Sequence, residues 1–134
     1  MAQKTVTILL ATLMLASAAS AEMLPGSEWG PVEISGEAFE PVADIFVRLE
    51  QDGRFFGNDG CNSIRGQFVT NGDAILFGPA AATMMACPET IMTQAREFVD
   101  ALMGARLYER NATELVLSDT EGGVLLRLIQ RDAD

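Results

Sequence analysis

Apolar and polar residues alternate along most of this chain, and the period changes only once. From Asp44 to Glu50, Ile45, Val47 and Leu49 fall on one side, against Asp44, Arg48 and Glu50 on the other; Phe46 is the exception on the polar side. Successive side chains of an extended chain point to opposite faces, so a period of two predicts a half-buried strand. Asp52-Gly53 is a hairpin turn signal, and Arg54 to Gly57 returns from it. Ser63 to Thr70 is a further strand. Asn71-Gly72, a strong short-range hairpin signal, joins it to Ala74–Phe77, which Gly78-Pro79 ends. Earlier, Glu28 to Ile34 reads as an opening strand closed by Ser35-Gly36. Later, Arg106–Arg110, Glu114–Ser118 and Val124–Gln130 read as strands separated by a turn at Asn111 and a loop over Asp119–Gly123. Asn111-Ala112-Thr113 matches a glycosylation sequon but reads better as this turn.

Between these groups the period becomes helical. Ile91, Ala95, Phe98 and Leu102 recur at helical spacing with Val99 beside them, while Glu89, Gln94, Arg96, Glu97 and Asp100 take the other side. This predicts an amphipathic helix over about 88–103 with its apolar stripe on a core. Pro88 suits the first turn, where its missing N–H costs nothing, and Gly104 suits the C-cap. The expected fold class is mainly β (α+β). It is an antiparallel, barrel-like sheet of about eight short strands packed with one helix that covers one open end or face, closed because an open sheet edge invites aggregation.

The first 21 residues stand apart. Lys4 supplies a positive start, Val6–Ala16 is apolar except for two threonines, and Ala19-Ser20-Ala21 is a small-x-small cleavage pattern. The expectation is a signal peptide cleaved after Ala21, a periplasmic or secreted protein, and a mature domain over 22–134 with no stable membrane insertion. Removal of the leader takes the lone lysine with it and leaves eight arginines against nineteen acidic residues, a net charge of −11. Such a surface repels phosphates, which excludes nucleic acid as a partner class. The chain has no histidine. That rules out a Ser-His-Asp triad, a Cys-His nucleophile and histidine-ligated metal. Carboxylate pairs such as Glu37 and Glu40 carry no signal, because nineteen acidic residues guarantee accidental pairs.

Two cysteines remain, Cys61 and Cys87, and an oxidising compartment would allow them to pair. A bond between them would close a loop of 27 residues, worth roughly 3–4 kcal/mol by loop entropy. A structural disulfide is the favoured reading. A reactive thiol at a helix start and two separate free thiols are the alternatives, though no basic residue lies within three positions of Cys87. Gly60 and Asn62 both tolerate positive φ, so Asn58–Asn62 reads as a tight turn bonded by its own side chains. Its rival, a calcium loop using Asp52, Asn58 and Asp59, lacks the spacing and the closing glutamate. Met84, Met85, Met92 and Met103 gather in and around the helix. Core filling is the reading favoured for them over adaptable apolar contacts with a partner.

Taken together, these pieces resemble the META / HslJ-like domain family of bacterial envelope proteins, over about Trp29–Ile129. The matching residues are Gly60-Cys61-Asn62 with Gly66-Gln67-Phe68, Phe77-Gly78-Pro79, Thr83, and Met85-Ala86-Cys87-Pro88. Glu97-Phe98 with Leu102 and the closing strands also match. Met84 and Ile64 depart from it, where a basic residue and an aromatic are common. The resemblance implies a compact barrel-like domain packed with a helix, and a link to heat or envelope stress and antibiotic tolerance. It carries no catalytic, cofactor-binding or metal-binding residue. The expected function is therefore a non-enzymatic, monomeric envelope domain that binds a protein or a small apolar partner without a cofactor. The alternative is an inhibitor of a basic secreted enzyme such as lysozyme, which net charge −11 would suit.

Overall fold

The period-two segments do become strands, and their apolar faces meet inside one closed wall. The computed structural model describes residues 27–131; the leader, its cleavage site and Glu22 lie outside them. The elements are β1 (Ser27–Ile34), β2 (Glu37–Ala38), β3 (Ile45–Leu49), β4 (Arg54–Asp59), β5 (Ser63–Asn71), β6 (Ala74–Phe77), β7 (Ala81–Ala82), α1 (Glu89–Gly104), β8 (Leu107–Asn111), β9 (Glu114–Ser118) and β10 (Val124–Arg131). Every pairing is antiparallel. The wall runs β1-β3-β4-β5-β6-β8-β9-β10 and returns to β1, giving a barrel of eight strands. The two-residue strands β2 and β7, which alternation could not reveal, attach to β1 and β5.

Alternation sets what fills the barrel. Ile45, Val47 and Leu49 of β3 point inward beside Phe55, Ile64, Phe68, Ile75 and Phe77 of the next three strands. Leu115, Leu117, Leu126 and Leu128 face them from β9 and β10, and Trp29 of β1 is fully buried. The register puts Leu49 opposite Phe55 and Phe55 opposite Gly66. A Cβ on Gly66 would lie 2.7 Å from two atoms of the Phe55 ring, so glycine there is what admits the phenyl group. Phe55 in turn meets Phe77 edge-on, 5.5 Å between centroids.

The predicted helix is present one residue later than expected, over Glu89–Gly104, and buries Ala95, Phe98, Ala101 and Leu102. It packs on β1, β4, β6 and β10. Since β1 and β6 stand on opposite sides of the circle, a helix touching both must lie across one mouth rather than along the wall. Two details differ from expectation. Pro88 is the N-cap, one place before the first turn, because its extended ψ of 149° turns the chain from Cys87 into the helix. Gly104 is the last helical residue and not a left-handed cap; a Cβ there would come within 3.2 Å of Leu125, so its smallness serves packing on β10. The helix stops as Ala105 turns extended and donates its N–H to Leu102 O.

Strand closure is uneven. β1 pairs with β10 over six registered positions, whereas β6 meets β8 only at Ala74 and Leu107. Two flanking bonds, Ile75 N–H to Arg106 O at 2.9 Å and Tyr108 N–H to Asp73 O at 2.9 Å, complete that seam. Away from the helix, the Arg110 guanidinium lies 5.2 Å from the centre of the Trp29 ring and covers it.

Candidate functional site

The Gly60–Asn62 turn and the Thr83–Pro88 segment, two parts of the family resemblance, come together at one corner beside the helix-covered mouth. Cys61 and Cys87 are bonded, and no free cysteine remains. Gly60 has φ +101°, a region that L side chains rarely adopt. Asn58 Oδ1 accepts the Gly60 N–H at 2.8 Å. Asp59 Oδ1 accepts the N–H groups of Cys61 and Asn62 at 2.9 and 2.6 Å. These carboxylate and amide oxygens are thus committed to the turn itself.

Asn62 ties the two halves of the corner together. Its Oδ1 accepts the Thr83 hydroxyl at 2.9 Å and the Met85 N–H at 2.7 Å. Thr83 Oγ1 also accepts the Ser63 N–H at 3.2 Å, and Thr83 N–H returns a bond to Ser63 O. Asn62 is 8% exposed, so these bonds replace lost water contacts at a buried amide. Cys61 Sγ lies 3.4 Å from Met85 O; a disulfide sulfur has no proton to donate, so this is a packing contact. Of the motif residues, Ala86 and Pro88 complete the extended link into the helix, and Gly66 sits on β5 under Phe55.

Two of the four methionines depart from the favoured reading. Met84 is 98% and Met85 62% exposed, so neither fills the core. Their backbone is held by Asn62 and the disulfide, which leaves the side chains outside. Met103 does pack against the core, and Met92 is half-buried.

A second region, on the outer wall of β4 and β5, has a different character. A groove of about 820 Å³ lies there, with Phe56, Arg65, Gln67, Pro79 and Ala81 in its lining. Phe56 points outward and is 41% exposed. It stands in register between Arg48 on β3 and Arg65 on β5, so an arginine neighbours it on each side of the sheet. Arg48 is bonded to Glu28 at 3.1 Å. At the turn end of the groove, Arg54 Nε donates to Asp52 Oδ2 at 2.6 Å. That bond holds the Asp52 carboxyl below its ordinary value and the Arg54 guanidinium above its own. Arg65 is different. Among the described residues its side chain has neither a hydrogen bond nor an ion pair, while the side chain of each of the other seven arginines has a partner.

Neither Phe56 nor Arg65 stands out in the sequence as a candidate site residue. One signal was present: Phe55-Phe56 in a period-two strand must send one ring outward. Phe46, the exception on the polar face of β3, is 6.2 Å from Phe56 and belongs to the same outer surface. Among the described residues no cluster of three or more acidic or cysteine side chains is placed to hold a metal, and no helix is long and apolar enough to cross a membrane.

Fold and corner together define a small closed antiparallel barrel, covered by a helix and clamped by one disulfide. The chain matches the model of the META domain over residues 22–132 and belongs to that family. It is similar in structure to a DUF4847 family protein from Bacteroides vulgatus ATCC 8482, with TM-score 0.66 and 15% identity, covering 84% of this chain and 98% of that one. It is also similar to a protein from Burkholderia xenovorans solved by NMR, with TM-score 0.67 and 20% identity, covering 86% and 88%. Likeness at these identities concerns the fold alone. No curated protein matches the chain.

Proposed function

We propose that this META domain is an exported, non-enzymatic binding module of the cell envelope, linked to stress tolerance, whose partner docks on the outer wall of β4 and β5. The observation that carries the reading is the 820 Å³ groove with an exposed phenyl ring beside it, on a barrel whose own interior is filled by side chains. Large apolar groups left on a wall while polar positions surround them favour an interaction site over simple packing. The disulfide supports export, since such bonds persist outside the reducing cytoplasm. The lack of histidine in the whole chain supports a role without histidine-based catalysis. No feature of the wall or its loops favours the enzyme-inhibitor alternative.

Nile red, an uncharged dye that brightens on apolar surfaces, tests the reading. The folded protein should enhance and blue-shift its emission, and Phe56→Ser should abolish the response while leaving the circular dichroism spectrum unchanged. A folded wild type that leaves the dye dark would remove the groove as a binding site.

A further inference from the structure

Resting on that reading, we infer that the groove recognises a monomeric amphiphile with a single anionic headgroup, of which a free single-chain carboxylate is the simplest form. The headgroup sits on Arg65 and the apolar body lies along Phe56, Pro79 and Ala81. The starting point is an imbalance. With nineteen acidic residues and eight arginines, no arginine lacks a partner for want of carboxylates. Yet Arg65 is the one described arginine left without any, and it borders the groove. An arginine fork presents paired N–H donors that match the two oxygens of a carboxylate, so an unused fork beside an apolar surface is a ready receptor for that group.

The neighbouring charges set the orientation. On one side Arg48 is neutralised by Glu28, and at the turn end Arg54 is engaged by Asp52. Glu50 also lines that turn end, where it would repel an anion. Arg65 stands opposite Phe56, two residues further along β4 than Arg54. The anion is therefore drawn to the Arg65 end and away from the Glu50 end. Phe56 supplies a flat apolar platform, and Pro79 and Ala81 line the groove with small apolar groups. The overall negative charge does not forbid this. At physiological salt, charges beyond about 8 Å are largely screened, so the nearest guanidinium decides.

The test compares decanoate, decanol and decyltrimethylammonium, each below its micelle concentration, by amide chemical-shift mapping on the full folded domain. Decanoate should perturb the amides of Phe56, Arg65 and Ala81 and bind about tenfold tighter than the cationic analogue, the effect of one charge-assisted contact. Arg65→Gln should abolish that preference while leaving decanol binding unchanged; the side chain is exposed, so the fold survives the change. Equal binding of the two charged amphiphiles, or a preference that persists in Arg65→Gln, overturns the headgroup assignment even when Nile red still binds. Capture of the protein on phosphatidylglycerol vesicles without a response to monomeric decanoate also overturns it. A dark dye, by contrast, defeats the groove reading itself.

Discussion

The disulfide corner and the β4–β5 wall share the β4–β5 hairpin, yet they use their polar groups in opposite ways. At the corner, Asn58, Asp59, Asn62 and Thr83 spend their side-chain oxygens on nearby N–H and O–H groups of the chain. On the wall, Arg65 keeps its donors unused and Phe56 keeps much of its ring in water. The corner's polar groups are satisfied within the chain; the Arg65 guanidinium on the wall is not. The difference teaches that the Gly60–Asn62 and Thr83–Pro88 segments of the family pattern serve the fold, while Gln67 and Pro79 of the same pattern border the groove.

Changes at the corner should therefore cost stability, and changes on the wall should cost binding. The largest effect is expected from Cys61→Ser/Cys87→Ser, which frees the loop of 26-residue separation. It should lower unfolding stability by roughly 3–4 kcal/mol, read from urea denaturation. A loss below about 1 kcal/mol would show that the hydrogen-bonded turn, not the disulfide, holds the corner. Asn62→Ala comes next. It strands the Met85 N–H and the Thr83 hydroxyl and should cost about 1–3 kcal/mol in the same assay. Gly66→Ala sharpens the boundary between the regions, because it lies on the wall strand but presses on the core. A Cβ 2.7 Å from the Phe55 ring should destabilise by about 1–3 kcal/mol through overpacking. Arg65→Gln should change stability by less than about 0.5 kcal/mol, as exposed substitutions usually do. A large loss there would erase the contrast.

The smallest effect concerns pH. The bond from Arg54 holds the Asp52 carboxyl below its ordinary value, so its stabilising contribution is complete above about pH 4 and fades as pH falls through the lowered value. Because the pair is exposed, the acid limb of a thermal-melting profile should differ only slightly between wild type and Asp52→Asn. A marked difference would place the groove's turn end among the stability determinants, alongside the corner.

Much of the fold was legible because its signals are local. The strand β3 could be read from Ile45, Val47 and Leu49, the turns from Asp52-Gly53 and Asn71-Gly72, and the helix from Ile91, Ala95, Phe98 and Leu102. Gly53 and Gly72 indeed carry positive φ, which is what those turn signals encode. The cysteine pairing was legible as the favoured option, and Cys61–Cys87 is the pairing found. Met84 and Met85 were misread for a physical reason. Hydrophobicity suggests burial, but Met84 and Met85 lie in an extended link whose backbone is held from within by Asn62, and that leaves their side chains outward. The β2 and β7 strands escaped notice because two residues are too few to show a period.

The order of residues alone thus carried the strands, the turns, the helix and the acidic balance, since each depends on neighbours within a few positions or on counting. Three things were settled only by folding. The pairing of β1 with β10 closes the barrel through residues roughly a hundred positions apart, which no local period can encode. The placement of α1 across a mouth follows from contacts with strands on opposite sides of the circle. The isolation of Arg65 exists only in three dimensions, because whether a charge has a partner depends on which carboxylates the fold brings near it and which it carries away.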